Sequence, residues 1–223
     1  MALGQSAAWL LLASWCGALG AASFDCAKAQ SRIEKAICAD AEVSALDEHL
    51  ARYDQAARAA LQGAVQCLAA DQRQWLSAVR NKCADDACLK KAYLERLSEL
   101  DALQPGATAL KNVALPRVAT LVWIIPAARD NVAAPPKPNA RPLVVRGELV
   151  DDLTQGDGFL LRGAQGTTLL AMLMFLEGDT AQQLAVLAKV PKAVYLARGH
   201  AATDARGKIH YEPSRCVFLY RLP

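Results

Sequence analysis

The sequence is short of net charge, of histidine and of long apolar runs, and each shortage removes a class of function. Lys and Arg number 25 against 22 Asp and Glu, for a formal net charge of +3. A protein that displaces counterions from phosphates needs a concentrated basic face, so this balance argues against DNA or RNA as a partner. The 3 His fall in no catalytic or metal-binding pattern. His49 stands beside Asp47 and Glu48 on an amphipathic helix, where a solvated side chain is expected. His200 and His210 can approach one another across a hairpin turning near Gly207, but two ligands fall short of a closed metal site. The chain has no G-x-S-x-G elbow, no phosphate-cradling glycine loop and no H-E-x-x-H helix. Its acidic neighbours Asp85-Asp86 and Asp151-Asp152 sit in helix-cap or strand-end contexts, whereas a catalytic carboxylate pair needs contrasting environments. No catalytic residue, metal or cofactor is assigned, and the chain is read as a non-enzyme.

Hydrophobic residues make up 53% of the 223 positions, enough to build a core and too many for a disordered chain. The first apolar run, Ala7 to Leu19, is shorter than the roughly 20 residues of a membrane-spanning helix and fits the apolar part of an export signal. Small residues Gly20, Ala21 and Ala22 follow, so cleavage is expected between Ala22 and Ser23 and residues 1–22 are read as a signal peptide. Trp15 in front of Cys16 argues against lipidation of that cysteine, because processing there favours a small residue. No later run is long enough to cross a membrane; Thr120 to Ile125 has only a strand's length. The mature chain is expected to be exported, periplasmic or secreted. Of 7 Cys, removal of Cys16 leaves an even set, as an oxidising compartment favours.

Residues 23–104 read as helical, Ala-rich and nearly free of Gly and Pro. One apolar stripe runs through Val43, Leu46, Leu50, Tyr53, Ala57 and Leu61 behind an Asp40 cap, with Gly63 as its stop. A second runs through Leu68, Trp75, Leu76 and Val79, and a third, after Asp85 and Asp86, through Leu89, Tyr93, Leu97 and Leu100. With a short helical turn at Arg32 to Ala36 they predict a small bundle. Residues 105–141 are a proline-rich linker containing one strand-like run. From 142 to 223 the pattern is β: strands at Leu143 to Val150, Gly158 to Leu161, Thr167 to Phe175, Ala193 to Ala197 and Cys216 to Arg221, with a helix at Asp179 to Lys189. That order predicts a small OB-like barrel, and the whole an α+β protein. Residues 23–103 hold 11 Lys and Arg against 13 Asp and Glu, net −2, and the rest of the chain 14 against 9, net +5.

The helical part also carries residues that its composition does not require. They are Asp25-Cys26, the run EKAICAD ending at Asp40, Leu46-Asp47, Tyr53, the string Gln72-Arg73-x-Trp75-Leu76, Arg80, Cys83, Cys88, Tyr93 and Arg96. In order and spacing, residues 24–103 resemble the LprI-type lysozyme inhibitor family, exported bacterial proteins with a small disulfide-bonded helical domain. The resemblance implies fold and compartment first, and inhibition of lysozyme second. Within it, Cys26 with Cys38 can pin the N-terminal segment and Cys83 with Cys88 can staple a turn. Cys67 and Cys216 are then left, and their pairing would lock the two parts together; several other connectivities stay open. Asp47 with either Arg80 or Arg96 can form a buried pair that fixes helix register. Gln72, Trp75, Tyr53 and Tyr93 are read as structural.

The expected function is non-catalytic binding, with lysozyme as the first partner and another envelope protein or a glycan as the others. An inhibitor would occlude the carboxylate-bearing cleft with a loop, either the turn between Gln62 and Gln66 or that at Ala84 to Ala87. A structural or interaction module of the cell envelope, with no enzyme target, is the alternative. The aromatics Phe159, Phe175, Tyr195, Tyr211, Phe218 and Tyr220 could stack bases in an OB-like groove, but alternation turns several of them inward.

Overall fold

The computed structural model describes residues 22–104, 113–127, 141–152, 158–176, 178–203, 209–212 and 215–223. Cys16, nearly all of the signal segment and the Gly207 turn lie outside the described residues. Four helices come first: α1 (Arg32–Ala39), α2 (Ala41–Ala60), α3 (Val65–Ala78) and α4 (Asp86–Leu100). Their starts are set by side chains that take up otherwise orphaned backbone donors. Ser31 and Glu34 form a reciprocal capping box on α1, Asp40 accepts from the amides of Glu42 and Val43 on α2, and Asp85 accepts from the amide of Cys88 on α4. Lys90 reaches from α4 to Asp40 at 3.1 Å and Glu42 at 2.8 Å, tying it to the head of α2.

The first and third apolar stripes become core without exception: Val43, Leu46, Leu50, Tyr53, Ala57 and Leu61, then Leu89, Tyr93, Leu97 and Leu100, are all buried. The second stripe fails at its end. Helix α3 stops at Ala78, and Val79, the last residue of the predicted stripe, is 41% exposed on the rim of a groove. His49 also departs from expectation. It is half-buried, its Nδ1 has no hydrogen-bond partner, and desolvation with the nearby Arg52 lowers its pKa.

The remaining elements are β1 (Thr120–Ile125), β2 (Arg141–Asp152), β3 (Gly158–Gly163), β4 (Gly166–Met172), α5 (Gly178–Ala188), β5 (Tyr195–Thr203), β6 (Ile209–Tyr211) and β7 (Val217–Arg221). Strands β2, β3, β4, β6 and β5 pair in that order and close back on β2, a five-strand mixed barrel whose one parallel contact is β4 with β6. The fold is thus α+β. The long strand β2 serves two partners, Arg141 to Gly147 facing β5 and Glu148 to Asp152 facing β3. Gly147 lies at the changeover, where a Cβ would run into the Arg162 backbone, so only glycine allows so close an approach. Helix α5 buries Leu184 against the barrel interior.

The strand expected at Cys216 to Arg221 exists, but it is not the fifth strand of the barrel. That place belongs to β6, three residues too short to register in a period-two pattern. The run expected as a strand from Thr167 to Phe175 ends at Met172 and turns through a short 3-10 segment. Strand β7 pairs with the outer half of β5 and with β1, which comes from the proline-rich stretch. Alternate β7 residues serve two cores. Val217 and Leu219 point into the barrel, while Phe218 and Tyr220 join Leu121 and Ile124 of β1 in packing on the helices. Among the described residues, no helix is long and apolar enough to cross a membrane.

Candidate functional site

Three disulfides hold this arrangement: Cys26–Cys38, Cys83–Cys88 and Cys67–Cys216. The first pins the segment before α1, the second closes the turn between α3 and α4, and the third joins α3 to the residue preceding β7. Several of the polar residues singled out in the helical part gather in two buried polar clusters.

The first centres on Asp47, 5% exposed on α2. Its Oδ1 accepts from the Tyr93 hydroxyl at 2.7 Å, and its Oδ2 accepts from the backbone nitrogen of Ser23 at 2.9 Å and the Ser23 hydroxyl at 2.6 Å. Arg80 is the cationic neighbour, with Nη1 3.9 Å from Oδ1. Burial and the Asp47 charge push the Tyr93 phenol far above its ordinary pKa, so it stays a donor. Trp75 packs edge-on against the Tyr93 ring, with centroids 5.6 Å apart. Tyr53 lies elsewhere in the same core, its hydroxyl 3.3 Å from Asp101.

The second cluster centres on Asp71 and Arg96, at 8% and 2% exposure. Arg96 Nη2 lies 2.8 Å from Asp71 Oδ2, Nη1 donates to Glu99 at 2.8 Å and Nε donates to the Gln72 side chain at 3.0 Å. Desolvation acts against the Arg96 charge, but Glu99 and Asp71 outweigh it and hold the guanidinium ionised. Between the two partners that sequence allowed for Asp47, the structure selects Arg80 and leaves Arg96 to Asp71. Arg198 of β5 completes the cluster: its Nη2 donates to Asp71 Oδ1 and to the Tyr220 hydroxyl, both at 2.6 Å. The guanidinium also lies 5.0 Å over the Phe218 ring and 5.4 Å over the Tyr220 ring, within cation–π range. Burial raises the Tyr220 phenol well above its ordinary value, Glu99 adding to the effect.

Neither Asp71 nor Arg198 stands out in the sequence as a site residue. Asp71 adjoins Gln72 in the motif string, a signal that could have been read. Arg198 comes from a strand 127 residues away, and no local pattern indicates that contact.

Among the described residues, open grooves flank the joint between helices and strands, and those over the second cluster and beside α5 bear on the site. One, of ≈ 480 Å³, runs over this cluster between Trp75, Val79, Glu95, Leu196 and Arg198. The other, of ≈ 260 Å³, lies where the turn after α2 meets Trp123 and the first turn of α5. The Gln62 to Gln66 turn is therefore one wall of that joint. The Ala84 to Ala87 turn is exposed, closed by Cys83–Cys88, and fixed from behind by Arg32, whose Nη1 donates to the Ala84 carbonyl at 3.2 Å.

His200 and His210 lie on paired strands with separate partners. His200 Nε2 is 3.4 Å from Arg215, and His210 Nδ1 is 2.9 Å from the Tyr211 carbonyl. Among the described residues, no group of three or more His, Cys, Asp or Glu is placed to hold a metal ion. No family model, curated protein or solved structure matches the chain.

Proposed function

We propose that the protein is an exported, disulfide-bonded binding protein that occludes lysozyme without catalysis. The observation that carries the reading is the Ala84 to Ala87 turn: exposed along its length, stapled at its base, and bearing the carboxylates of Asp85 and Asp86. A turn rigid before it binds loses little conformational entropy on docking, which favours affinity from a small contact. Acidic groups on it suit a basic enzyme, although the small negative charge of residues 23–103 leaves most of the affinity to shape. The resemblance supports the same reading, because its residues supply the Cys83–Cys88 staple and part of each buried polar cluster, Asp47, Arg80 and Tyr93 in the first and Gln72 and Arg96 in the second.

Three disulfides favour an oxidising compartment, and with it export followed by cleavage near Ala22. The barrel order and the helix between β4 and β5 support an OB-like domain beside a small helical bundle, with the barrel as a second interaction surface for protein or glycan.

Titrating the purified chain into a lysozyme turnover assay tests the proposal. Saturable inhibition is expected, weakened by Asp86→Ala well beyond the small loss of stability that removing an acid from the first turn of α4 brings. Absence of inhibition up to about 50 μM, a range that detects even weak complexes, would sink it for that lysozyme. Co-purification with envelope components in its place would favour the interaction-module reading.

A further inference from the structure

The backbone nitrogen bound to Asp47 belongs to Ser23, the residue that the export-signal pattern makes the first of the processed chain. Two independent observations therefore meet at one atom: small residues before Ser23 in the sequence, and a buried carboxylate 2.9 Å from its nitrogen in the fold. We infer that Asp47 is the receptor for the α-ammonium group created when the Ala22–Ser23 bond is cut, so that processing completes the polar cluster of the helical part.

The chemistry is simple hydrolysis by a leader-cleaving endopeptidase. Water adds across the peptide bond, Ala22 leaves as a carboxylate, and Ser23 is left as an ammonium with no net change in protons. A neutral amide with one hydrogen becomes a cation with three, aimed at a carboxylate with few other charges around it. The facing groups are the Tyr93 hydroxyl from α4, the Ser23 hydroxyl, and the Arg80 guanidinium from the turn after α3, at 3.9 Å and itself facing Glu34. Arg80 pairs with Asp47 but is too distant for a direct hydrogen bond, which leaves Asp47 without a cation that donates to it directly. The terminus is positioned on both sides of this contact: Phe24 packs against the helical core, and Cys26 is bonded to Cys38. Charge-assisted hydrogen bonds are roughly twice as strong as neutral ones, and an ionised terminus on a buried carboxylate falls in that class.

The inference rests on the exported reading and is independent of lysozyme. Its test uses the chain exported from cells and purified with its disulfides intact. N-terminal sequencing is expected to give Ser23 first; any other first residue overturns the inference. The α-amine is then selectively acetylated, which restores a neutral amide at the same nitrogen, and denaturant unfolding is compared with the free form. A drop of about fivefold in the folding equilibrium constant is expected, the difference between a charge-assisted and a neutral bond. In Asp47→Asn the two forms should be equally stable. No difference in the wild type, or the same difference in Asp47→Asn, overturns it. If Asp47→Asn does not fold, NMR titration of the wild-type α-amine decides. A pKa above the ordinary ~8 supports docking on Asp47, and one at or below it overturns the inference.

Discussion

Arg198 of β5 and Asp71 of α3 form a 2.6 Å ion pair across the joint between barrel and helices, although 127 residues separate them in the chain. Asp71 is buried and Arg198 is 44% exposed, so the two ends of the pair are not equivalent. Removing Arg198 leaves Asp71 still paired with Arg96. Removing Asp71 strips the 2%-exposed Arg96 of one of its two carboxylates.

The asymmetry gives the first prediction. Asp71→Ala should cost about 3–5 kcal/mol, the range for breaking a buried pair from one side. Arg198→Ala should cost about 1 kcal/mol, because solvent screens its exposed end. Denaturant unfolding with intact disulfides measures both, and equal losses would show that Asp71 depends on Arg198 as much as on Arg96.

The disulfides should differ in weight. Cys67–Cys216 closes 149 residues and Cys83–Cys88 only 5. Paired Cys→Ser replacement of the first is expected to cost about 3–5 kcal/mol, since a longer loop loses more entropy in the unfolded chain, and replacement of the second clearly less. The double replacement at the short bridge should instead weaken lysozyme inhibition, by loosening the exposed turn. Calorimetry and the turnover assay separate the two effects.

Acidification should expose the histidines. His49 and His200 both titrate below the ordinary value near 6.5, through desolvation first and then the nearby Arg52 and Arg215 respectively. Between the folded value and about 6.5 the unfolded chain binds more protons, so stability rises with pH through that window and is flat above it. His49→Gln should flatten the rise in an unfolding series from pH 7 downward. Glu34 and Asp40, whose pKa values are lowered by backbone hydrogen bonds, act in a separate, more acidic window.

Gly199 should resist substitution. A Cβ there would stand 2.7 Å from the ring of Tyr211, which cannot swing aside because it is buried and its hydroxyl donates to the Ala197 carbonyl at 2.7 Å. Gly199→Ala is expected to cost about 1–3 kcal/mol, as overpacking does, and Tyr211→Leu in the same chain to recover part of it. A neutral Gly199→Ala in thermal unfolding would mean the ring has room to move.

What was legible in the sequence follows from which forces are local. The stripes of α2 and α4 were readable because burial on a helix repeats along the chain itself, and Asp40 and Asp85 were readable because a cap acts within three residues. Strand β6 was not, since Ile209–Tyr211 is held by the long strand β5 and one parallel contact with β4. The end of the second stripe misled for a related reason. Val79 has the right spacing, but the helix stops before it and the groove leaves it in solvent. Asp47 was visible as a member of a motif, while its partners could be narrowed only to two arginines. The choice between them depended on Asp71, whose own second partner lies on a distant strand.

The alternation of β7 has a consequence for how the molecule can come apart. A partition wall shared by two rooms cannot be taken down for one of them alone. Pulling Val217 and Leu219 out of the barrel also withdraws Phe218 and Tyr220 from the helices, because the four are consecutive on a single strand. Helices and barrel have separate interiors but share a boundary, and the loss of either is felt at once by the other.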